Sequence, residues 1–355
     1  MLFVPVVDAN QKPLMPTTPN RAARWIKSGK ATPFWKRGVF CVRLNVEPSA
    51  RETQTIAVGI DSGSKKEAFT AKSDAHTFIN IQTDAVTWVK DAVEVRRNLR
   101  RSRRNRKTPY RKCRWNRGVG FRLPPSTRAR WGWKLRIAAW LKKMFPITVF
   151  VVEDIKAWSK QGVEFRSHNK NFSPLEVGKQ WFYAALRKLG LVETMEGQET
   201  ARQRKLHGLS KTRNKMAEVF EAHCVDSWVL ANWYTGGHTK PENKRMLCIT
   251  PLRFHRRQLH VQNPLEGNIR KSYGGTRSLG FTRGSLVKHA KKGLAYIGGT
   301  MAGRISLHDV ATGKRLGQGF KVEDIKFLSF NTWRSRLLPN LDFIPALGEV
   351  SVEAR

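Results

Sequence analysis

Acidic residues, cysteines and long apolar runs are all scarce in this sequence. Asp and Glu number 27 in 355 residues, against 66 Lys and Arg, and the formal net charge is +39. Positive charge at this density makes a compact chain repel itself unless an anionic partner lies against it. We therefore expect a polyanion, bound in a strongly salt-dependent way because its counterions are released. A basic soluble protein without such a partner is the alternative.

The cysteines are too scattered for a cysteine-based framework. Cys41, Cys113, Cys224 and Cys248 form no CxxC pair, which argues against a zinc ribbon and favours reduced structural thiols in the cytoplasm. The apolar run at residues 145–152 is much too short to span a bilayer. The first residues also lack the basic and apolar regions of a signal peptide. We expect neither export nor membrane insertion.

The chain nevertheless contains enough apolar and aromatic residues to fold. Hydrophobic residues make up 40% and aromatic residues 10%, including 12 Trp and 18 Phe. This composition supports packed cores, and the length predicts two or three domains.

Both ends of the sequence predict small β-containing units. Residues 1–53 indicate an α+β unit with a strand at 2–7, a turn at 13–16, a helix at 20–28 after Thr18-Pro19, and a hairpin at 34–44. Beyond Pro241 glycine is frequent, and short alternating segments predict a small β-rich barrel. Between the ends we predict strands at 67–71, 76–82 and 191–195, and helices from about 84, at 181–189 and at 215–234.

Three acids stand at positions that suit a metal-dependent site. One apolar strand ends in Asp61, and a second is followed by Glu153. A predicted helix carries His223 and Asp226 at spacing i, i+3, hence on one face. Strand ends of a mixed sheet and a covering helix can bring these groups to one point, where oxygen ligands suit Mg²⁺ or Mn²⁺. Two such ions about 4 Å apart stabilise the attacking and leaving oxygens of a phosphodiester displacement.

The alternative for these acids is structural. Asp is common where a strand turns, so Asp61 before Ser-Gly-Ser is equally a turn residue. A single histidine such as His223 is more often structural than a ligand. We expect the neighbouring acids Glu67, Asp84 and Asp154 to be solvated or capping groups.

The densest positive charge lies between residues 96 and 117. Ten Arg and two Lys are found among these twenty-two positions, and no acid occurs anywhere from 95 to 152. Arginine favours bidentate phosphate contacts and stacking on bases, so we expect nucleic-acid contact. A solvated helix or a disordered tail is the alternative. Of Trp115, Phe121, Trp131 and Trp133, some are expected in the core and one or two could stack on unpaired bases.

Six segments of the sequence resemble motifs of one known group of proteins. They are Pro13-Leu14-Met15-Pro16, Ile60-Asp61-Ser62-Gly63-Ser64, Val151-Val152-Glu153-Asp154, Glu221-Ala222-His223-Cys224-Val225-Asp226, Phe254-His255-Arg256-Arg257-Gln258-Leu259-His260 and Tyr273-Gly274-Gly275-Thr276. The first is similar to the motif that names the PLMP domain, and the next three to the three RuvC motifs. The arginine-rich segment resembles a bridge helix. The sequence therefore resembles the IscB group of RuvC-containing, RNA-guided proteins of insertion sequences.

One departure makes the shorter relative IsrB the better resemblance. IscB carries an HNH nuclease between the second and third RuvC motifs, but here about seventy residues separate Glu153 from His223. His168-Asn169 shares only the letters of the HNH name. The residues between Glu153 and His223 are too few to add a ββα fold to the elements already predicted there. The resemblance implies that the displaced, non-target DNA strand is nicked and that the paired strand is left intact.

For the fold, the resemblance implies an α/β protein whose RNase H-like (RuvC) core is split by an arginine-rich bridge helix. A small N-terminal α+β PLMP domain and a C-terminal β-rich, barrel-like domain would flank this core. The implied domains are 1–53 (PLMP), 54–90 (RuvC part I), 91–122 (bridge helix), 123–214 (RuvC part II and connector), 215–245 (RuvC part III) and 246–355 (nucleic-acid binding and flanking-motif reading).

For the site, the resemblance implies that Asp61, Glu153 and Asp226 ligate two Mg²⁺ ions, for which Mn²⁺ can substitute. His223 would complete the ligand set or deprotonate the attacking water, and the sequence leaves both roles open. The implied RNA- and DNA-binding residues are Arg96, Arg97, Arg100, Arg101, Arg103, Arg104, Arg106, Arg111, Arg114, Arg256, Arg257 and His260. The candidate readers of a flanking DNA motif are Lys288, Lys291, Lys292 and Arg304.

The implied partners are a guide RNA of the omega type and target double-stranded DNA, with no membrane. The protein would be a monomer within a ribonucleoprotein, in a prokaryotic cytoplasm and at the nucleoid when bound to DNA. Two alternatives stay open: an RNA-guided DNA-binding or transposition-accessory protein with an inactive site, and an unguided RuvC-like junction nuclease.

Overall fold

The structure is a computed structural model that describes residues 3–104, 123–156, 158–161, 164–167, 174–252 and 277–338. Within these residues the chain is mixed α/β, with six helices and several sheets. It divides into two compact units, Met1–Thr53 with Arg245–Arg355, and Gln54–Lys244. No helix in the described residues combines the length and the apolarity that a bilayer span requires.

The elements of the first 104 residues are β1 (Val4–Val7), β2 (Pro13–Thr17), α1 (Pro19–Lys27), β3 (Ala31–Lys36), β4 (Val39–Leu44), β5 (Ile56–Asp61), β6 (Lys66–Lys72), β7 (Thr77–Asp84) and α2 (Val89–Arg104). The middle of the chain contributes α3 (Pro125–Lys142), β8 (Ile147–Asp154), β9 (Trp158–Gln161), β10 (Glu164–Ser167), α4 (Pro174–Arg187), β11 (Leu191–Glu196), α5 (Gly197–Leu206), α6 (Cys224–Thr235) and β12 (Met246–Pro251). The last described segment contributes β13 (Arg277–Ser278), β14 (Phe281–Thr282), β15 (Leu286–His289), β16 (Gly293–Met301), β17 (Arg304–Asp309), β18 (Arg315–Phe320), β19 (Ile325–Ser329) and β20 (Trp333–Leu338).

The N-terminal part of the first unit is a four-stranded sheet in the order β2-β1-β4-β3. β1 pairs antiparallel with β2 and parallel with β4, and β3 and β4 form the predicted hairpin. The hairpin turn, Arg37-Gly38, has φ angles of 52° and 89°, which suit a type I′ turn. Val6 and Val42 from the sheet and Ala22 from α1 belong to its buried core.

The predicted turn at residues 13–16 is wrong. These residues belong to β2, in which Pro13 lies opposite Val7. Proline is tolerated here because β2 is an edge strand, where a missing N–H removes no interior ladder bond. The prediction for the following helix is confirmed: α1 begins at Pro19 with Thr18 at the N-cap position, although the Thr18 hydroxyl makes no capping hydrogen bond.

The C-terminal part of the first unit contains an antiparallel five-stranded sheet in the order β18-β17-β16-β15-β19. Its buried core includes Val287, Ile297 and Leu307. β12 and β20 also pair antiparallel in this unit, with Thr250 opposite Arg334. The region is β-rich, and its closure into a barrel stays a prediction.

Five strands of the second unit lie in the order β11-β8-β5-β6-β7. β5, β6 and β7 form the expected antiparallel meander, while β8 and β11 run parallel to β5. Helix α6 packs on β5 and β6. The packing is so close that a Cβ atom on Gly59 would lie 1.9 Å from the backbone oxygen of Ser227. The absence of a side chain at Gly59 therefore permits the contact between β5 and α6.

Glu67 is not the solvated or capping group that the sequence predicted. Its side chain is fully buried and accepts a 2.5 Å hydrogen bond from the equally buried Lys134 of α3. Asp84 and Asp154 are partly exposed, and each forms an ion pair with a lysine. The prediction for Glu67 was wrong because an acid near a turn is expected at the surface, and the sequence does not show that Lys134 is its buried partner.

Two helices differ from the sequence prediction. α6 begins at Cys224 and not near residue 215, because turns precede it, one of them closed by a hydrogen bond from the Met216 backbone N–H to the Asn214 side chain. α2 begins at Val89, and its apolar residue Leu99 is 60% exposed. The Leu99 side chain on α2 is therefore not packed in a core within the described residues.

Two tryptophans on α3 belong to the core. Trp131 and Trp133 are each only 3% exposed, and the Trp131 ring stacks on Phe182 with centroids 4.8 Å apart. Neither is available to stack on an unpaired base in this arrangement. Trp115 and Phe121, the other two aromatic candidates, lie outside the described residues.

The described cysteines form no disulfide bond with one another. Cys41, Cys224 and Cys248 are all buried. Burial raises the pKa of the Cys41 thiol to about 12, which keeps it protonated and unreactive at neutral pH. Cys113 lies outside the described residues.

Candidate active site

Strands β5 and β8 bring two of the predicted acids to the same edge of the sheet. The strands are parallel neighbours, with Ile60 opposite Val152. Asp61 and Glu153 are the next residues along each strand, so both follow at the same level. Asp61 is only 4% exposed. The sequence prediction that these two acids meet is consistent with this register.

His223 and Asp226 come from the start of α6, where His223 occupies the N-cap position and Asp226 the first turn. The Nδ1 atom of His223 lies 2.8 Å from Oδ2 of Asp61, and its Nε2 atom lies 2.9 Å from the backbone oxygen of Lys215. Because both ring nitrogens face oxygen acceptors, an imidazolium that carries a proton on each nitrogen satisfies both.

The contact between Asp61 and His223 favours the charged form of each group. Burial by itself would raise the pKa of Asp61, but the hydrogen bond and the charge of His223, helped by Lys211, outweigh it and lower that pKa. Burial would likewise lower the pKa of His223, but the hydrogen bond and the charge of Asp61 raise it. In this arrangement His223 carries a proton where it faces Asp61, so it does not accept one from water there.

Asp226 is 1% exposed and is held by two cations. Arg204 of α5 donates to its Oδ1 atom, and Lys211 donates to its Oδ2 atom. Both cations lie in the segment that the sequence presented as a connector. The sequence reasoning missed them because nothing in the local pattern distinguishes them from the other cations of that segment.

The surroundings of Glu153 favour the neutral form of its carboxyl group. Burial raises the pKa of Glu153 first, and the charges of Asp61 and Asp226 raise it further, against Lys211, to about 8. The backbone of α5 also lies close, since a Cβ atom on Gly197 would be 3.3 Å from Oε1 of Glu153. Glu153 is therefore a carboxyl group that holds a proton near neutral pH.

The chemistry of these donors suits a hard divalent cation. Carboxylate oxygens are the ligands that Mg²⁺ and Mn²⁺ prefer, and such an ion would offset the repulsion by Asp61 and Asp226 that, after burial, helps to raise the pKa of Glu153. The hydroxyl of Ser62, next to Asp61, is buried without a hydrogen-bond partner among the described residues. As they stand, the described residues include no group of three His, Cys, Asp or Glu side chains arranged around a metal. The donor types therefore suit such an ion, while Arg204 and Lys211 contact both oxygens of Asp226 in this structure.

The predicted nucleic-acid-binding arginines are only partly described. Arg96, Arg97, Arg100 and Arg101 lie on α2 with exposed side chains. The backbone of α2 extends to Arg104, but the side chains of Arg103 and Arg104 lie outside the described residues. The same holds for all of Arg106, Arg111, Arg114, Arg256, Arg257 and His260.

The candidate readers of a flanking motif lie on the five-stranded sheet of the first unit or beside it. Lys288 is on β15, Arg304 is on β17, and Lys291 and Lys292 lie in the turn between β15 and β16. All four side chains are exposed. Their role in reading DNA stays a prediction.

Comparison with known proteins gives a similarity to a protein family and similarities among solved structures. A family described as RRXRR protein matches residues 4–164. The family name spells two arginine pairs separated by one residue, and Arg100-Arg101-Ser102-Arg103-Arg104 has this pattern. Among solved structures, the chain is similar to T. thermophilus RuvC in complex with Holliday junction substrate, at 11% identity, a TM-score of 0.28, and coverage of 52% of this chain and 98% of that chain. No curated protein matches.

Proposed function

We propose that this chain is an RNA-guided DNA endonuclease. It binds an omega RNA, opens target DNA next to a short flanking motif, and nicks the displaced non-target strand. One observation carries the nuclease part of the proposal: Asp61 and Glu153 lie at adjacent ends of the parallel neighbours β5 and β8, and the pKa of Glu153 is raised by burial and by the charges of both Asp61 and Asp226. Three carboxylates separated along the chain thus lie within electrostatic reach of one another.

In this proposal Asp61, Glu153 and Asp226 hold two Mg²⁺ ions, or Mn²⁺ in their place. When bound, such ions stabilise the attacking and leaving oxygens of a phosphodiester displacement. His223 holds Asp61 in position through its 2.8 Å hydrogen bond. Once its contact with Asp61 is released, the same imidazole can complete the ligand set or take a proton from water.

The nucleic-acid part of the proposal is supported by charge. The net charge of +39 favours a polyanionic partner, and the exposed arginines of α2 present guanidinium groups that suit a phosphate backbone. The guide RNA and the target DNA are the proposed polyanions, with the protein as a monomer in a cytoplasmic ribonucleoprotein. Base pairing with the guide would supply sequence specificity.

The test of the nuclease site is a pair of nearly isosteric substitutions, Asp61→Asn and Glu153→Gln. Each removes one carboxylate from the proposed metal site, so plasmid nicking in the presence of guide RNA and Mg²⁺ should fall by about 100-fold or more. Asp154→Asn is the matched control. Asp154 is adjacent to Glu153, but it binds Lys179 and Tyr183 and should tolerate the change.

Labelling the two DNA strands separately tests the choice of strand. Nicks are expected in the non-target strand alone, and cleavage of the guide-paired strand would contradict the proposal. Undiminished nicking by Asp61→Asn would remove Asp61 from the site.

A second candidate function is an RNA-guided DNA-binding or transposition-accessory protein without cleavage. It is favoured by the ion pairs of Arg204 and Lys211 with Asp226, which occupy the carboxylate that a metal needs. Guided DNA binding that is retained with no nick under Mg²⁺ or Mn²⁺ would favour this function over the first.

A further inference from the structure

A small cavity in the first unit has the size and lining of a phosphate site. Its volume is about 130 Å³, and it lies between β12, β20 and the turn that follows β17. At roughly 30 Å³ for each liquid water, this is the volume of about four waters. The cavity therefore suits one phosphate group better than a whole nucleoside.

Two arginines reach this cavity from one face of β20. Arg334 and Arg336 are two positions apart on the strand, so their side chains point to the same side. On β12, Thr250 lies opposite Arg334 and Cys248 opposite Arg336, and both residues also line the cavity. Paired guanidinium groups are well suited to bind phosphate oxygens through several N–H donors at once.

The turn after β17 holds Arg334 in place. A Cβ atom on Gly313 would lie 1.2 Å from Nη1 of Arg334, so the guanidinium lies directly on the backbone of this glycine, whose φ is 68°. Asp309 closes the turn, because its Oδ1 atom accepts hydrogen bonds from the backbone N–H and the hydroxyl of Thr312, at 2.6 and 2.7 Å. A rigid turn therefore fixes the guanidinium against one wall of the cavity.

The lining of the cavity favours an anion. Besides the two arginines it includes Thr250 and Thr312, whose side chains carry hydroxyl groups, and the described residues that line it include no carboxylate. The Nε atom of Arg334 is buried and has no hydrogen-bond partner among the described residues. A buried charged donor without an acceptor is costly, and a phosphate oxygen would satisfy it.

We propose that this cavity binds a single phosphate group and that a phosphodiester of a nucleic-acid backbone supplies it. The large positive charge of the chain indicates a nucleic acid as the source of phosphate. Such a contact fixes the position of a strand on the first unit without reading its sequence. The proposal is independent of the nuclease site, because it uses none of the acids of the second unit.

The first arm of the test measures binding of inorganic phosphate to the full-length protein. Phosphate should raise the melting temperature more than chloride does at the same ionic strength. Arg334→Gln should abolish this extra rise. Gly313→Ala should abolish it too, although it changes no charge, because the new methyl group displaces the guanidinium. Arg283→Gln, at an exposed position of the same unit, is the matched control and should retain the full rise.

The second arm measures binding of a fluorescent DNA duplex by anisotropy at several salt concentrations. The logarithm of the binding constant falls linearly with the logarithm of salt concentration, and the loss of one phosphate contact should reduce that slope by about 1. Arg334→Gln and Gly313→Ala should both show this reduction, with circular dichroism confirming that each variant is folded. If Gly313→Ala does not fold, Arg336→Gln replaces it as the second variant.

Each outcome decides one part of the proposal. If the variants lose the extra rise in melting temperature with phosphate and also show the smaller salt slope for DNA binding, the whole proposal is supported. A rise in melting temperature with phosphate that depends on Arg334, together with an unchanged salt slope of DNA binding, would overturn nucleic acid as the source of the phosphate. It would leave a site for free phosphate. If phosphate stabilises the unsubstituted protein no more than chloride does, the phosphate site itself is wrong.

Discussion

Asp226 is the acid whose environment the sequence revealed least. It lies where a metal ligand is proposed, yet Arg204 and Lys211 neutralise it in the described structure. A buried carboxylate needs a compensating positive charge, and a lysine ammonium or a divalent ion can provide it. Metal binding at Asp226 therefore requires these internal cations to move away.

Lys211→Met tests this competition without measuring nicking. The substitution leaves Asp226 with Arg204 as its remaining described partner, so the metal-free protein should lose about 1–3 kcal/mol of unfolding free energy. Addition of Mg²⁺ should then raise the melting temperature more than in the unsubstituted protein, because the ion no longer displaces an ammonium group.

Lys205→Met is the control for this experiment, because Lys205 is exposed on the same helix as Arg204. Its response to EDTA and to Mg²⁺ should match that of the unsubstituted protein. Equal responses of all three proteins to Mg²⁺ would contradict the competition at Asp226.

The pair of Glu67 and Lys134 makes a different prediction at the same scale. Both side chains are almost completely buried, so removing one partner leaves an uncompensated charge. Lys134→Met should cost about 3–5 kcal/mol in urea unfolding, whereas adding Glu67→Leu to it should recover most of that loss. Lys156→Met, which removes an exposed ion pair with Glu196, should cost about 1 kcal/mol or less. A double variant as unstable as Lys134→Met would contradict this account.

At the scale of elements, the contact between β5 and α6 positions the candidate active site. Asp61 ends β5, while His223 lies at the N-cap position of α6 and Asp226 in its first turn. Gly59 lets the two backbones approach, since any side chain there would meet the backbone of Ser227. The relative positions of the site side chains therefore depend on how closely β5 packs against α6.

Gly59→Ala should push α6 away from β5. The added methyl group has no room, so we expect a loss of roughly 1–3 kcal/mol in unfolding free energy and a clear fall in nicking. Gly132→Ala is the matched control. A Cβ atom at this helical position on α3 meets nothing within 4 Å, and the better helix propensity of alanine should stabilise the protein by up to about 1 kcal/mol. Equal stability of the two variants would show that the contact at Gly59 is not tight.

At the scale of the whole molecule, charge is the dominant property. The acid-free stretch from residue 95 to 152 contains nineteen Lys or Arg, which is about half of the net charge of +39. The described part of α2 presents some of these cations to solvent. Charge of one sign on this scale attracts polyanions from a distance and makes their binding sensitive to salt.

Purified protein should therefore carry RNA at low salt. The ratio of absorbance at 260 and 280 nm should fall as the salt concentration of the wash rises, and RNase should remove the bound material while DNase should not. Sequencing of that RNA would then identify a guide. Protein that is free of nucleic acid at every salt concentration would contradict the guided function. That result would not bear on the proposed site of three carboxylates.

Much of the fold could be predicted from local pattern. The strands that end near Asp61 and Glu153, the meander and the hairpin at Arg37-Gly38 were all expected, because alternation, apolar runs and turn residues are properties of neighbouring positions. The error at residues 13–16 came from the same reasoning, since proline predicts a turn unless the strand is known to lie at an edge. The start of α6 was misplaced because its first turn depends on contacts made by the preceding loop.

By itself the sequence determined the charge, the nature of most elements and the identity of the three acids and the histidine. Only the tertiary structure decided the partners of those groups. Arg204 and Asp226 are 22 positions apart and Lys134 and Glu67 are 67 apart, while the Arg334 guanidinium lies against the backbone of Gly313. The physical reason is that burial and ion pairing between distant side chains arise only when the elements pack together. A local periodicity in the sequence contains no information about that packing.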